Sequence, residues 1–156
     1  MKSKISALFV GIIALTVAPH IAQAHCQIPC GIYNDAVRIT LMKEHISTIE
    51  KSMRMINELQ QAGTNPNQLV RWVNNKEHHA EALTKIITAY FMTQRIKPAL
   101  ESNDTAFQIY QNRVIILHRM LIETMKAKQT TDHEPCIQLR SLIEAFEKVY
   151  PTQHEH

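Results

Sequence analysis

Apolar residues recur at steps of three and four along four stretches of the chain, which is the spacing of amphipathic helices. The first two stretches carry Ile39, Met42, Ile46, Ile49, Met53 and Ile56, and then Leu69, Val73, Ala80, Leu83, Ile87 and Tyr90. The last two carry Phe107, Tyr110, Val114, Leu117 and Leu121, and then Leu139, Leu142, Phe146 and Val149. Each stripe predicts one helix with a single core-facing side.

Polar and helix-breaking residues separate these stretches. Asn34 and Asp35 offer N-caps for the first helix, and Asp104 offers one for the third. Breaks fall at residues 62–67 and 128–134, and short connections favour antiparallel neighbours. The predicted fold is therefore all-α, an antiparallel four-helix bundle preceded by an irregular N-terminal arm.

Residues 1–24 have the pattern of a secretory signal peptide. Two lysines precede an apolar run at residues 5–17, Pro19 ends any helix, and Ala22-Gln23-Ala24 supplies a small-x-small cleavage site. The apolar run is too short for a typical membrane span. We therefore expect an exported protein, periplasmic or extracellular, with one mature domain at residues 25–156.

The charge of the mature chain is close to balanced. The leader holds two of the 17 Lys and Arg residues and none of the 14 Asp and Glu residues, which leaves 15 basic against 14 acidic groups. Basic residues form no stripe along the predicted helices. We expect no nucleic-acid partner and, after removal of the leader, no membrane association.

The nine residues after the predicted cleavage site, residues 25–33, concentrate metal donors, and we call them the hook. Cleavage after Ala24 would give His25 a free α-amine beside its imidazole. Cys26 adds an amide nitrogen and a thiolate, and Cys30 adds a second thiolate. The amine, the amide nitrogen and the two thiolates can form a plane, with the imidazole in an axial position. Such a plane suits Ni(II) or Cu(II) rather than tetrahedral zinc.

Three further hook residues fit such a site. Pro29 stiffens the return turn and has no competing N–H, and Gly31 lets the backbone pass close to the metal. Tyr33 follows the second thiol by three residues, which places its hydroxyl to lie over the open axial face.

Spacing alone leaves other functions open. Two cysteines in an exported protein most often form a disulfide, so a helical interaction module with a Cys26–Cys30 bond is one alternative. A non-catalytic carrier of nickel or copper is another. Gly31 and Tyr33 favour an enzyme over a carrier, because a simple chelator requires neither.

The hook resembles the nickel hook of the nickel-containing superoxide dismutases. All six defining positions are present in His25-Cys26-x-x-Pro29-Cys30-Gly31-x-Tyr33, directly after the cleavage site. A weaker resemblance continues along the helices, in residues 71–77 and 90–97.

This resemblance implies a homohexamer of four-helix bundles with one nickel ion per subunit and superoxide as the substrate. His25 would contribute its amine and imidazole, Cys26 its amide and thiolate, and Cys30 its thiolate. The imidazole would ligate only the oxidised metal. Tyr33 resembles the family's gate tyrosine, which orders water or the incoming anion without binding the metal. His25 and Tyr33 are therefore the expected catalytic residues.

The chain departs from the family at supporting positions. Gln27 stands where an acid is usual, and Asn34-Asp35 replaces Asp-Pro. The family steadies the imidazole with a Glu on the first helix and an Arg on the second, and these positions correspond here to Thr40 and His79. We expect His79, with Thr40 or Glu77, to orient the ring of His25.

Several other residues carry expectations of their own. Tyr90 is expected to be a second active-site tyrosine. The apolar stripe fails at residues 76–79, which is compatible with a solvated face or with a supporting role. Cys136 has no partner if the hook holds a metal, so a small buried residue is expected. Five methionines are expected in the core, namely Met42, Met53, Met55, Met120 and Met125.

Overall fold

The computed structural model describes Pro29, residues 31–63 and residues 65–150, and these residues form four helices and no strand. The helices are α1 at Asp35–Ala62, α2 at Pro66–Lys85, α3 at Asp104–Gln129 and α4 at Glu134–Val149. Helix α2 continues directly into a π-helix, Ile86–Arg95. The predicted all-α bundle is confirmed. Within the described ranges, no helix is long and apolar enough to cross a membrane.

Ion pairs between α1 and α4 show that these two helices run antiparallel. Lys43, early in α1, pairs with Glu147, late in α4, at 2.8 Å. Glu50 lies two turns further along α1 and pairs with Arg140, two turns earlier in α4, at 2.6 Å. These pairs are partly exposed, so each contributes about 1 kcal/mol or less to stability, and their main effect is on register.

The helix ends follow simple capping chemistry. Asn34 caps α1 as predicted, because its side-chain oxygen accepts a backbone N–H of the first turn at 3.0 Å. Gly63 ends α1 with a φ of 62°, a left-handed conformation that glycine adopts without strain. The predicted cap of α3 is wrong by one residue, since Asn103 accepts the first-turn N–H at 3.1 Å and Asp104 is already helical.

The predicted stripes supply most of the core, but two of the expected core residues are exposed. Met125 is 51% exposed because it lies about 140° around α3 from the buried Met120 and about 100° from the buried Thr124. Val73 is 38% exposed because it lies one turn before Lys76, and Lys76 is the residue of α2 that contacts the end of α3. The other stripe residues that are only half-buried are Leu69, Phe107, Tyr110, Val114, Leu121 and Val149, together with Met55.

The residue of α2 that meets the end of α3 is Lys76, and it is buried rather than solvated. Only 5% of its surface is exposed. Its ammonium donates to the carbonyl oxygens of Ala127, Lys128 and Thr130 at 3.1, 2.6 and 3.0 Å. Three donated bonds use all three N–H groups of a protonated lysine. Lys76 therefore satisfies carbonyls that the end of a helix leaves without partners.

Cys136, near the start of α4, is a free and fully buried cysteine, as predicted. Its sulfur lies 3.9 Å from the sulfur of Met53 in the core. Burial raises the pKa of the Cys136 thiol to about 11, so the thiol stays protonated at neutral pH. Met42, Met53 and Met120 are also fully buried, which confirms them as core residues.

Candidate active site

Most of the hook, and the predicted cleavage site before it, lie outside the described residues. The hook residues concerned are His25, Cys26, Gln27, Ile28 and Cys30. Pro29 is a half-buried bend. Gly31 has a φ of 78°, in the left-handed region that other residues rarely adopt, which gives a local reason for glycine at this position.

The ring of Tyr33 lies against two side chains of the π-helix. Tyr33 and Tyr90 make an edge-to-face contact, with ring centroids 5.8 Å apart and an angle of 77° between the planes. The guanidinium carbon of Arg95 lies 4.4 Å from the centroid of the Tyr33 ring. Contacts of these two kinds are each worth about 1 kcal/mol. The structure thus brings together the two tyrosines that the sequence singled out.

Asp35 is the centre of a buried hydrogen-bond cluster beneath this pair. Its carboxylate, 8% exposed, accepts the hydroxyl protons of Tyr90 and Tyr150 at 2.6 and 2.7 Å. Arg95 donates from Nε at 2.9 Å and from Nη2 at 2.7 Å. These residues belong to the start of α1, the π-helix and the residue that ends α4. The cluster therefore ties three helices together at one end of the bundle.

Hydrogen bonding sets the charges in this cluster. Burial alone would raise the pKa of Asp35, but the bonds from Arg95, Tyr90 and Tyr150 outweigh burial and hold that pKa below 3.8. Burial and the Asp35 carboxylate raise the pKa of Tyr90 well above 10, and they raise that of Tyr150 to about 12. At neutral pH the cluster therefore contains one carboxylate, one guanidinium and two neutral phenols.

The π-helix explains how Tyr90 and Arg95 reach the same carboxylate. In an α-helix, two residues five positions apart point about 140° away from each other. In a π-helix the backbone bond joins residues five apart, so one lies roughly above the other. The Ile96 N–H bonds to the Phe91 carbonyl in this way at 2.8 Å. Arg95 accordingly lies above Tyr90 on one face.

Thr40 and His79, which were expected to support His25, each bond to a residue of the bundle. Thr40 is exposed, and its hydroxyl donates to the Ala36 carbonyl of its own helix at 3.0 Å. His79 Nδ1 lies 2.9 Å from Nδ1 of His45 on α1, so one of the two rings donates an N–H to the other. Burial lowers the pKa of both rings below 6.5, and the pair is therefore uncharged at neutral pH.

The family model of nickel-containing superoxide dismutase matches residues 20–154, nearly the whole chain. The chain belongs to the nickel-containing superoxide dismutase family. It is an enzyme that disproportionates superoxide and uses nickel, as the resemblance of the hook predicted. No curated protein and no solved structure matches the chain.

The hook sequence of this superoxide dismutase contains donors of the kinds that suit nickel. Elsewhere, in residues 31–63 and 65–150, no group of three or more His, Cys, Asp or Glu side chains could hold a metal ion. The hook sequence offers an imidazole, an amide nitrogen and two thiolates within six residues, and the predicted cleavage would add the amine of His25. This mixture of nitrogen and thiolate donors suits nickel in a planar site.

Three residues of the dismutase bundle were not singled out from the sequence. The sequence offers both Asn34 and Asp35 as caps of α1, but only one of two adjacent residues can cap a helix. The second residue was therefore free for another role, and this could have drawn attention to Asp35. Arg95 lies in the segment that resembles the family, but its role depends on the π-helix. His45 lies beside the core position Ile46 and carried no signal of its own.

Proposed function

We propose that the enzyme is an exported dismutase whose mature chain begins at His25, after removal of residues 1–24. Cleavage would free the amine of His25. His25, Cys26 and Cys30 would then hold one nickel ion per subunit. The observation that carries this proposal is the family match over residues 20–154, which includes the hook and the residues just before it.

Bound nickel supplies the one-electron steps by which two superoxide anions and two protons become dioxygen and hydrogen peroxide. The chain's own residues guide the anion. Arg95 holds a positive charge 4.4 Å from the ring of Tyr33. Its bonds to Asp35 raise the pKa of that guanidinium, so the charge is permanent. Because the Asp35 carboxylate offsets the charge of Arg95, further positive charge near the two tyrosines comes from Arg38, whose guanidinium lies 5.0 Å from the centroid of the Tyr90 ring. Positive charge at this end of the bundle would raise the encounter rate of a small anion.

Of the two tyrosines, only Tyr33 is suited to donate a hydrogen bond to a bound anion or water. The hydroxyl of Tyr90 already donates its hydrogen bond to the Asp35 carboxylate at 2.6 Å. The role of gate therefore falls to Tyr33, and Tyr90 supports it from the side. Gln27, Pro29 and Gly31 would shape the hook around the metal.

The family assignment favours the enzyme over the two alternatives. A carrier would bind nickel tightly without turnover, so superoxide turnover by the nickel-loaded protein excludes it. A helical module with a Cys26–Cys30 disulfide would show a mass two hydrogens lower and no bound metal. Mass spectrometry of the untreated native protein distinguishes that case.

Maturation at His25 is expected to be obligatory for metal binding. A chain that begins at His25 should bind nickel and turn over superoxide. A matched chain that begins at Ala24 should fold equally well yet remain nickel-poor and essentially inactive, because an amide-linked His25 has no amine to donate. Circular dichroism, nickel content and turnover of the two proteins provide the comparison.

Full activity in a chain shown by mass to retain Ala24 would contradict the proposed ligand set. N-terminal sequencing of the protein from its native host tests export separately. A first residue other than His25 would argue against cleavage at this site.

The support of the His25 ring is proposed to come from the pair formed by His45 and His79. Their Nδ1 atoms lie 2.9 Å apart, so the second nitrogen of His79, Nε2, is left to face another partner. His45 fixes the tautomer and the orientation of His79 in the way that metal-site histidines are commonly steadied. In this arrangement His45 on α1 takes the supporting role that a Glu on the first helix has in the family.

Removing this support should separate metal binding from turnover. His79→Ala is expected to retain nickel, which the four planar donors hold, and to lose turnover at least about tenfold. The axial-nitrogen signature of the oxidised metal should disappear from its magnetic resonance spectrum. His118→Ala is the matched control, because His118 is an exposed histidine on a different helix, α3, whereas the ring of His78 packs edge-on against that of His79. Wild-type turnover with an unchanged axial signal in His79→Ala would show that His79 has no such role.

We also propose that the bundle assembles into the homohexamer that the resemblance implies. Ile115, Ile122 and Met125 form an apolar stripe on the outer face of α3, with exposed fractions of 54%, 36% and 51%. An exposed apolar stripe is typical of a surface that an assembly covers. Sedimentation of the nickel-loaded protein gives the oligomeric state directly.

A further inference from the structure

We propose that Asp35 is a positioning residue for Tyr33, because it holds in place both side chains on which the Tyr33 ring rests. Asp35 itself does not contact the substrate or the metal in this proposal. The inference rests on the proposed role of Tyr33 as the gate, and it names the residue that makes the gate rigid.

The backbone does little to fix Tyr33. Tyr33 lies two residues before the start of α1, and Asn34 is the cap, so Tyr33 takes no part in the helical hydrogen bonds. Its ring is half-buried and is held by side-chain contacts. A free tyrosine ring at this point would sample several rotamers. Its orientation therefore depends on the rigidity of its neighbours.

Both neighbours of the Tyr33 ring depend on Asp35. Tyr90 makes the edge contact with Tyr33, and its hydroxyl is fixed by the 2.6 Å bond to the carboxylate. Arg95 covers the face of Tyr33, and its guanidinium is fixed by a two-point bond to the same carboxylate. A two-point bond fixes the plane of the guanidinium as well as its position.

The charges around Asp35 also indicate that this carboxylate holds Arg95 in place. Besides Arg95, two further guanidiniums lie over the aromatic rings of the cluster. Arg38 is 5.0 Å from the centroid of Tyr90, and Arg113 is 5.1 Å from that of Tyr150. One carboxylate thus stands among three positive groups. Without Asp35, Arg95 would lose the carboxylate that pairs with it at 2.7 Å and would turn from the ring toward water.

The test compares two substitutions that each remove hydrogen bonding from the cluster. Asp35→Asn keeps the size of the side chain, but its amide cannot accept two donors from Arg95 and two phenols at once. Tyr150→Phe is the matched control, because Tyr150 bonds to Asp35 at 2.7 Å and its ring packs against Phe91 and Phe146. This variant keeps the bonds that Asp35 accepts from Tyr90 and Arg95. Both variants should lose stability, whereas only Asp35→Asn should disturb Tyr33.

Two readouts distinguish positioning from general stability. The first is the resonance of Tyr33 in the reduced, nickel-loaded protein carrying isotope-labelled tyrosine, where the chain has only four tyrosines to assign. Asp35→Asn should shift this resonance and Tyr150→Phe should leave it in place. The second is a double-mutant cycle on kcat/KM. Asp35→Asn should lower kcat/KM about tenfold when Tyr33 is present and have little effect when Tyr33→Phe is already made.

The outcomes separate the inference from the function it rests on. If Tyr33→Phe lowers kcat/KM but the effects of the two substitutions simply add, the inference is wrong and the gate stands. If Tyr33→Phe has no effect, the gate itself is wrong. If Asp35→Asn does not fold, Arg95→Lys replaces it, since lysine keeps the charge and loses the two-point bond. An unmoved Tyr33 resonance in Arg95→Lys would overturn the inference.

Discussion

Changing either hook cysteine to serine, Cys26→Ser or Cys30→Ser, is expected to abolish superoxide turnover and leave the helical content unchanged. A hydroxyl is a hard, weakly donating ligand and cannot replace a thiolate in stabilising the oxidised metal. The described bundle is held together by its own core and polar contacts, so it should fold without the hook ligands. Nickel content, turnover and circular dichroism measured on each variant check this expectation.

The third cysteine provides the control for these two changes. Cys136→Ser places a hydroxyl in the apolar core and should cost stability of about 1 to 3 kcal/mol, with turnover retained. Loss of helical structure in the Cys26 or Cys30 variants, with no nickel in the parent protein, would instead indicate a structural disulfide. Turnover near the parent value in either variant would contradict the ligand assignment.

The largest loss of stability is expected from Lys76→Met. Methionine has nearly the same length and apolar volume, but it donates no hydrogen bond to the three carbonyls at the end of α3. An unsatisfied buried polar group costs about 1 to 3 kcal/mol, so a total near 3 kcal/mol is expected for these partly buried carbonyls. Urea unfolding of parent and variant in the same nickel-loaded state measures the difference.

A neighbouring lysine serves as the comparison for Lys76. Lys128 pairs with Glu77 at 3.2 Å and with Glu81 at 3.4 Å on the surface of the bundle. Lys128→Met should therefore change the free energy of unfolding by less than about 1 kcal/mol. Equal losses in the two variants would show that the three carbonyl contacts of Lys76 do not stabilise the end of α3.

The fold was predictable because it depends on properties that repeat along the chain. The apolar stripes continue over several turns, and their phase identifies the buried face of each helix. The cap at Asn34 was predictable for the same reason, since a short side chain with an oxygen acceptor stood directly before such a stripe. The burial of Val73 was predicted wrongly because a stripe does not show where the neighbouring helix ends. The burial of Met125 was predicted wrongly because it was inferred from residue type, whereas Met125 lies away from the buried face of α3.

The candidate site was predictable only where a local motif carries the chemistry. The hook donors are contiguous, so the sequence alone displays them. Asp35 and Arg95 meet across two helices and through a π-helix, which has no simple sequence pattern. Lys76 could not be assigned either, because its charge suggested solvent while its partners are main-chain carbonyls 51 to 54 residues away.

The burial of Cys136 has a consequence for an enzyme that releases hydrogen peroxide. Peroxide attacks the thiolate, and a thiol with a pKa of about 11 in a closed core offers almost none at neutral pH. The thiol of Cys136 should therefore not be oxidised by the hydrogen peroxide that the enzyme itself produces. It should also be silent to thiol-labelling reagents in the folded state. Any label taken up by the native protein would then be bound to Cys26 or Cys30 alone. A loss of labelling when nickel is added would therefore measure occupancy of the metal site without an activity assay.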